Sequence, residues 1–145
     1  MPRKKVTRFN ISPQTHVRAT QGDKIFFQIP EDQLRPEGLK RKRRLVQYNE
    51  YKVDLREIAK YLNYSVARAG SHIVFFIPVP KSWTKKKKAL MHLQPHLPKP
   101  DADNLIKAFK DALVPQDSTI WDYRVTKRWI NSDEGCIEIS PIAIK

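Results

Sequence analysis

Two aspartates, Asp101 and Asp103, stand two residues apart in a chain that is otherwise strongly basic. Pro98 and Pro100 favour an extended conformation around them, and side chains two residues apart in an extended segment point to the same side. Carboxylates held that close repel each other unless positive charge lies between them. Mg²⁺ takes oxygen ligands from a few carboxylates and waters, so the pair predicts a magnesium site that one distant acid completes.

The distant acid has two candidates. Asp117 lies in a Pro-Gln-Asp-Ser-Thr turn, and Asp122 follows it near the start of a strand-like segment. Lys107 stands four residues beyond Asp103, which places both side chains on one face of a helix. This lysine either offsets charge on a scissile phosphate or only forms a salt bridge with Asp103, worth about 0.2–0.5 kcal/mol. Asp111, further along that face, is expected to be structural.

An Asp-x-Asp pair is common in helix caps and turns, so its spacing alone does not establish a metal site. The alternative is a non-catalytic, basic nucleic-acid-binding protein in which these acids only cap a helix. The histidines are weaker candidates for metal ligands. His92 and His96 lie in a proline-rich segment that cannot form the helix needed to make them converge, and the sequence suggests no partner for His16 or His72.

Basic residues are concentrated in two blocks of the chain. The protein has 145 residues and a formal charge of +13, from 28 Lys and Arg against 15 Asp and Glu. Such blocks stay solvated and neutralise phosphates, so nucleic acid is the expected partner and a solvated basic loop is the alternative. An anionic membrane surface is disfavoured, since neither block lies opposite an apolar helix face. The expected contacts are Lys40, Arg41, Lys42, Arg43, Arg44, Lys85, Lys86, Lys87 and Lys88, with Trp83 and Trp121 as further candidates.

The length of the chain predicts one domain over residues 1–145. Its longest apolar run, Ile73–Ile77, is far shorter than the roughly 20 residues of a membrane-spanning helix, and no secretory signal is expected. Cys136 is the single cysteine, so neither an intramolecular disulfide nor a four-cysteine zinc site can form. These features predict a cytoplasmic protein that does not bind membranes.

The apolar pattern predicts an α+β fold, with a small mixed β-sheet packed against two main helices. The run at 73–78 is β-branched and aromatic throughout, which is typical of a central strand. Segments 120–130 and 135–144 alternate like strands, and residues 131–134 between them predict a C-terminal β-hairpin. The remaining predicted elements are a strand over 24–30, a helix over 44–67 that Gly70 closes, a short helix over 82–91 that Ser82 caps, and a helix over 104–114. Apolar residues three and four positions apart predict a buried stripe on each long helix: Val46, Val53, Leu55, Ile58, Ala59 and Leu62 on the first, and Leu105, Ala108, Phe109, Ala112 and Leu113 on the second.

Residues 99–113 (KPDADNLIKAFKDAL) resemble the signature of the RusA family of Holliday-junction resolvases. That signature runs Asp-x-Asp-Asn-Leu-x-Lys, then Asp-Ala-Leu, then an acidic pair before a strand, and the first two parts match in order. Residues 117–127 are similar to the family's segment around its third catalytic aspartate. The resemblance covers 99–127 well and the strand at 136–139 loosely.

The resemblance implies a Mg²⁺-dependent endodeoxyribonuclease that resolves four-way junctions by paired symmetric nicks in DNA recombination and repair. Flaps or three-way junctions are alternative substrates for such a relative. It implies that Asp101, Asp103 and Asp117 are catalytic and bind Mg²⁺, with Mn²⁺ as a substitute, and that Lys107 is the functional lysine. It also implies a small α+β homodimer. Where the family usually has two adjacent acids this chain has Gln116 before its aspartate, which predicts a reduced metal affinity.

Overall fold

The computed structural model describes residues 5–18 and 23–142, apart from the side chains of Ile25, Phe26 and Asp117. Within these ranges every helix is too short or too polar to cross a lipid bilayer. Turns of 3-10 helix lie at Glu31–Gln33 and Asp117–Thr119. The main elements are β1 (Thr7–Phe9), α1 (Asp23–Gln28), α2 (Pro36–Leu62), β2 (Ala69–Pro78), α3 (Lys85–Met91), α4 (Ala102–Leu113), β3 (Asp122–Ile130) and β4 (Cys136–Pro141).

The four strands form one mixed sheet in the order β1-β4-β2-β3. β2 pairs with β3 in parallel and with β4 antiparallel, and β4 pairs antiparallel with β1. β2 is therefore paired along both edges, as its continuous apolar run from Ile73 to Ile77 predicts. The predicted α+β class with a mixed sheet is confirmed.

The predicted C-terminal β-hairpin is wrong, because β2 lies between β3 and β4. In the observed register Ile73 of β2 stands between Val125 of β3 and Ile139 of β4. Alternation identifies a strand but does not say which strands are neighbours. The connection from β3 to β4 passes the end of β2, and glycine permits this approach: a Cβ on Gly135 would collide with the carbonyl oxygen of Phe76.

The first long helix begins earlier than the sequence pattern indicates. α2 starts at Pro36, a residue type suited to the first helical position, so the basic block 40–44 is helical rather than part of a loop. It ends at Leu62, and the cap is the next residue, Asn63, in a left-handed conformation with φ 52°, rather than Gly70. The predicted apolar stripe included Val46 and Val53, which are exposed; the buried residues are Leu45, Tyr48, Tyr51, Leu55 and Ala59.

The predicted strand over 24–30 is also wrong, since residues Asp23–Gln28 form helix α1. A short run of consecutive apolar residues does not distinguish a strand from a helix. Asp23 at the start of α1 is buried, and its carboxylate lies 2.9 Å from the guanidinium of Arg41 on α2. This tertiary contact fixes where the segment begins.

The core lies between the sheet and a layer of two helices, α2 and α4. The apolar stripe predicted for the second helix is confirmed, with Leu105, Ala108, Phe109 and Ala112 buried. Phe109 makes edge-on ring contacts with Phe9 at 5.7 Å and Phe75 at 6.3 Å, which joins α4 to β1 and β2. Two helices on one face of the sheet thus hold the N-terminal end of α4 at the surface.

Candidate active site

Asp101 and Asp103 lie together at the N-terminal end of α4. The helix begins at Ala102, so Asp103 belongs to its first turn and the two acids are not both in an extended segment as predicted. Asp101 is the N-cap residue, with φ −70° and ψ 148°, but its carboxylate makes no capping hydrogen bond. Both side chains are exposed, and neither carboxylate has a partner within the described part of the chain. Their oxygens are therefore free to ligate a hard divalent cation.

Lys107 is exposed one helical turn beyond Asp103. Among the described residues, the ion pairs do not include one between these two side chains. The simple salt-bridge alternative is therefore not observed, and the Lys107 ammonium is an exposed positive charge one helical turn from Asp103. Such a group can interact with an anionic substrate.

Lys127 fixes the segment that leads into the acidic pair, a role that was not predicted from the sequence. Its ammonium group donates hydrogen bonds to the carbonyl oxygens of Pro98 at 2.7 Å and Pro100 at 2.8 Å. The residue stands opposite Phe75 in the register of β2 and β3. Lys127 therefore lies on the sheet face that carries Ile73 and Phe75. Positions on that face are normally apolar, so a lysine there was the sequence signal that was missed.

Asp117 lies beyond the C-terminal end of α4, the end opposite to Asp101 and Asp103. Lys127 of β3 contacts the residues before α4, whereas Tyr123 of β3 accepts a hydrogen bond from Lys110 near its end at 3.4 Å, so helix and strand run in opposite directions. The turn Asp117–Thr119 follows shortly after Leu113, the last residue of α4. The Asp117 side chain itself lies outside the described residues, so the convergence of three acids stays a prediction.

The turn that carries Asp117 is fixed by hydrogen bonds on either side of it. The carbonyl oxygen of Gln116 accepts from the backbone N–H of Thr119 at 3.2 Å and from its hydroxyl at 2.9 Å. Further on, the N–H of Trp121 donates to the carbonyl of Arg68 at 3.0 Å. The other candidate acid, Asp122, is the first residue of β3 and is partly exposed.

Asp111 has the structural role expected of it. Burial acts to raise the pKa of its carboxyl, but the Tyr48 hydroxyl, which donates at 2.7 Å, and the Lys52 ammonium at 3.4 Å lower this pKa on balance. The same burial and hydrogen bond raise the pKa of Tyr48. This contact between a buried tyrosine and an exposed aspartate joins α2 to α4.

His16 lies along the same face of α4 and was missed in the sequence. Its backbone N–H donates to the backbone carbonyl of Asn104 at 3.1 Å, and its ring contacts the Tyr48 ring edge-on at 5.5 Å. Burial lowers the pKa of His16. The positive charges of Lys107 and Lys52 also lower this pKa, whereas the negative charge of Asp111 raises it. The neutral imidazole is therefore favoured close to Lys107.

The basic block 40–44 is partly engaged inside the protein. Arg41 bonds to Asp23, and the Lys42 ammonium donates to the carbonyl of Ile29 at 3.3 Å. Arg43 lies 3.8 Å from the Glu31 carboxylate at the surface. The exposed side chains Lys40, Arg43 and Arg44 are the members of this block that can meet a ligand.

The block 85–88 belongs to α3. The residue that caps this helix is Thr84 rather than Ser82: the Thr84 hydroxyl accepts a hydrogen bond from the N–H of Lys87 at 3.2 Å. The ammonium of Lys87 lies 4.2 Å from the centre of the Trp83 ring, which in turn stacks at a tilt on Trp129 of β3 at 4.9 Å. Trp83 is thus committed to holding α3 against the sheet. Trp121, by contrast, is 69% exposed.

Three acids, histidines or cysteines do not come close enough to hold a metal anywhere in the described part of the chain, which leaves out the Asp117 carboxylate. The acidic pair can supply two carboxylates, and a third must come from that undescribed side chain. The site thus consists of Asp101 and Asp103 at a helix start, Lys107 one turn on and Lys127 behind them.

A family model described as endodeoxyribonuclease RusA matches residues 30–140, which is most of the chain and includes the whole acidic segment. The protein belongs to the RusA family. RusA-family proteins are endodeoxyribonucleases that resolve Holliday junctions, and their resolvases generally depend on a divalent metal. No curated protein matches the sequence.

Proposed function

We propose that this protein is a Mg²⁺-dependent, structure-selective endodeoxyribonuclease that cuts four-way DNA junctions by paired symmetric nicks in recombination and repair. The observation that carries the proposal is the pair of exposed carboxylates of Asp101 and Asp103 at the start of α4, neither of which has a partner among the described residues. Like charges held this close repel unless positive charge lies between them, so two neighbouring carboxylates that the protein itself does not neutralise favour a bound cation. The Asp111 carboxylate, by contrast, is already bound by Tyr48 and Lys52.

Asp101, Asp103 and Asp117 would hold the ion, with Mn²⁺ as a substitute for Mg²⁺. When bound, the metal would supply an activated water and charge neutralisation at the scissile phosphate. Lys107 binds a non-bridging oxygen of that phosphate and offsets the negative charge that develops there. Lys127 keeps the Asp101 backbone in place through Pro98 and Pro100, so that little reorganisation is needed when DNA binds.

We further propose a two-fold homodimer in which each site is completed by Asp117 of the partner subunit. α4 has 12 residues and is about 18 Å long. Its two ends therefore hold Asp101 and the Asp117 turn far apart, whereas ligands of one magnesium ion lie about 2.1 Å from it. A two-fold axis that sets the two α4 helices antiparallel brings opposite ends together twice. Two equal sites suit a junction that is nicked at two related positions.

The basic blocks would bind the junction arms. The exposed residues Lys40, Arg43 and Arg44, together with Lys85–Lys88, present ammonium and guanidinium groups to backbone phosphates. Contacts to phosphates position DNA without reading bases, so this arrangement favours recognition of shape over sequence.

A cleavage assay on a mobile four-way junction, beside a linear duplex, a flap and a three-way junction, tests the proposed function. With Mg²⁺ the protein should nick the four-way junction in pairs, and Asp101→Asn should bind the junction but not cut it. Asp54→Asn is the matched control, because Asp54 is an exposed acid on α2 away from the site. Tight binding with no cleavage of any branched substrate would identify a non-catalytic DNA-binding protein. If the protein cuts the flap or the three-way junction in preference to the four-way junction, its substrate is another branched DNA.

A further inference from the structure

A surface groove with a volume of about 630 Å³ lies between the second half of α2 and the segment that joins α4 to β3. Neither of the predicted DNA-contacting blocks contributes to it. Its polar lining consists chiefly of Arg56, Lys60, Tyr64, Ser65 and Arg68, and we call it the α2 groove.

The α2 groove contains three cationic side chains in a row. Arg56 and Lys60 are four residues apart on one face of α2, about 6 Å along the helix axis, and Arg68 follows beyond the end of the helix. Arg56 is oriented by one hydrogen bond, from its Nε to the carbonyl of Ala112 at 2.8 Å. The rest of its guanidinium, and the charged groups of Lys60 and Arg68, have no acidic partner in the described part of the chain.

The groove also contains an unused hydroxyl group. The Tyr64 oxygen is buried and makes no hydrogen bond within the described residues, while its ring packs edge-on against Phe9 at 5.5 Å. A buried hydroxyl without a partner is unfavourable, so a small shift of the Tyr64 side chain that lets a ligand oxygen accept its hydrogen would strengthen binding of that ligand. Ser65 adds a second hydroxyl to the lining.

Hydrogen bonds hold the walls of the α2 groove in place. The Trp121 N–H donates to the Arg68 carbonyl, which joins the two ends of the groove, and the Val114 N–H donates to the Lys110 carbonyl at 2.8 Å. The wall formed by Pro115, Thr119 and Ile120 belongs to the segment that carries Asp117. A ligand in the groove would therefore lie next to the third acid of the proposed site.

Among the lining residues that the structure describes, one acid, Asp111, borders the groove, and its carboxylate is already bound by Tyr48 and Lys52. The groove as a whole therefore favours anions. Its row of cations with two hydroxyl donors suits successive phosphates of an extended strand, since contacts to phosphate commonly come from arginine, lysine, serine and tyrosine.

We propose that the α2 groove binds the sugar-phosphate backbone of the DNA arm that leaves the cleavage site. The inference rests on the proposed function for the identity of the DNA, but not for the presence of the phosphate site. It assigns the grip on this arm to Lys60, Arg68 and the Tyr64 hydroxyl, in addition to the two basic blocks.

The test measures binding alone, without metal, in the Asp101→Asn protein. Replacing both Lys60 and Arg68 by Ala should raise the Kd for a four-way junction at least tenfold. It should also reduce the slope of log K against log salt concentration by about 1.8, as expected for two lost phosphate contacts. Tyr64→Phe should weaken binding about threefold and leave the slope unchanged, because it removes a hydroxyl but no charge. Arg35→Ala with Arg124→Ala is the control, since it removes the same charge at exposed residues that do not line the groove.

The inference would be overturned if the protein with Lys60→Ala and Arg68→Ala bound the junction with the same Kd and the same salt slope as its parent. Binding of inorganic phosphate or a free nucleotide in the groove would not rescue it. Restoration of affinity by Arg68→Lys, which keeps the charge, would support it. Because cleavage is not measured, a wild-type protein that fails to cut any junction would disprove the proposed function and leave this result intact.

Discussion

The ammonium group of Lys127 lies 2.8 Å from the carbonyl oxygen of Pro100, the residue that immediately precedes Asp101. The same group bonds to the carbonyl of Pro98 at 2.7 Å. Hydrogen bonds from a charged donor are stronger than neutral ones, and two from one group restrict how the segment can turn. Lys127 therefore joins β3 to the segment that enters α4 and fixes the backbone directly before Asp101.

Replacing Lys127 by Met should impair cleavage much more than DNA binding. The thioether fills similar space but cannot donate, so both proline carbonyls lose their partner and the protein should lose about 1–3 kcal/mol of unfolding free energy. The Mg²⁺ concentration for half-maximal cleavage should rise about tenfold, while the junction Kd should change by less than about threefold.

Lys110→Met is a suitable control for that experiment, because Lys110 bonds to a side chain, Tyr123, rather than to the backbone before Asp101. It should leave the metal requirement unchanged. A Lys127→Met protein with the wild-type metal requirement would show that Asp101 does not depend on Lys127 for its position.

Local sequence patterns predicted the parts of the fold in which one side of an element is buried. The stripe of α4 and the apolar run of β2 were both correct, since burial of a periodic face leaves a direct trace in the sequence. The stripe of α2 was misassigned because two of its buried members, Tyr48 and Tyr51, carry polar hydroxyls, whereas Val46 and Val53 face solvent.

Long-range features could not be predicted in this way. Insertion of β2 between β3 and β4 depends on strand pairing between distant segments, and α1 depends on the contact of Asp23 with Arg41. At the site, the motif identified Asp101 and Asp103, but their helical setting differs from the extended one expected. The role of Lys127 depends on two backbone carbonyls about thirty residues away in sequence, which no local pattern encodes.

The four lysines of α3 should contribute to affinity for every DNA shape. Replacing Lys85–Lys88 by Ala should weaken binding to junction and duplex alike and reduce the salt slope by up to about 3.6, the value for four phosphate contacts. Alanine should also preserve the helix, since it has the highest helix propensity. Binding measured at several salt concentrations gives this slope directly, and an unchanged slope would mean that α3 does not touch the DNA backbone.

Stability should fall as the pH is lowered through the range in which histidine titrates. Burial lowers the pKa of His96, as does the positive charge of Lys127, and the Nδ1 atom of its ring has no partner within the described residues. Below pH about 6.5 the unfolded chain therefore binds a proton that the folded chain resists, so unfolding becomes easier. Burial also lowers the pKa values of His16 and His72, which act in the same direction.

Thermal unfolding between pH 8 and pH 5 measures this effect. Each such histidine changes the free energy of unfolding by at most about 1.4 kcal/mol per pH unit, and His96→Gln should remove the contribution of His96 to this pH dependence. A pH dependence equal to that of the wild type would show that His96 is protonated as readily in the folded protein as in the unfolded chain.

Mixing two inactive proteins should restore activity if each site draws Asp117 from the partner subunit. Asp101→Asn and Asp117→Asn should each abolish cleavage alone. In a mixed dimer, one site contains both substitutions, and the other contains neither. With random pairing, roughly one quarter of the wild-type number of sites should be intact. Because an active dimer then has a single working site, the product should be single nicks rather than paired ones.

The control mixture is Asp101→Asn with Asp103→Asn. These acids lie on the same helix end, so both sites of that mixed dimer keep one substitution and no activity should return. Both mixtures are to be unfolded and refolded together, so that subunits exchange, and assayed on the four-way junction. If the Asp101→Asn and Asp117→Asn mixture stays inactive while wild type mixed with either variant nicks the junction, Asp117 acts within its own subunit. The segment after Leu113 must then fold back along α4 when DNA or metal binds.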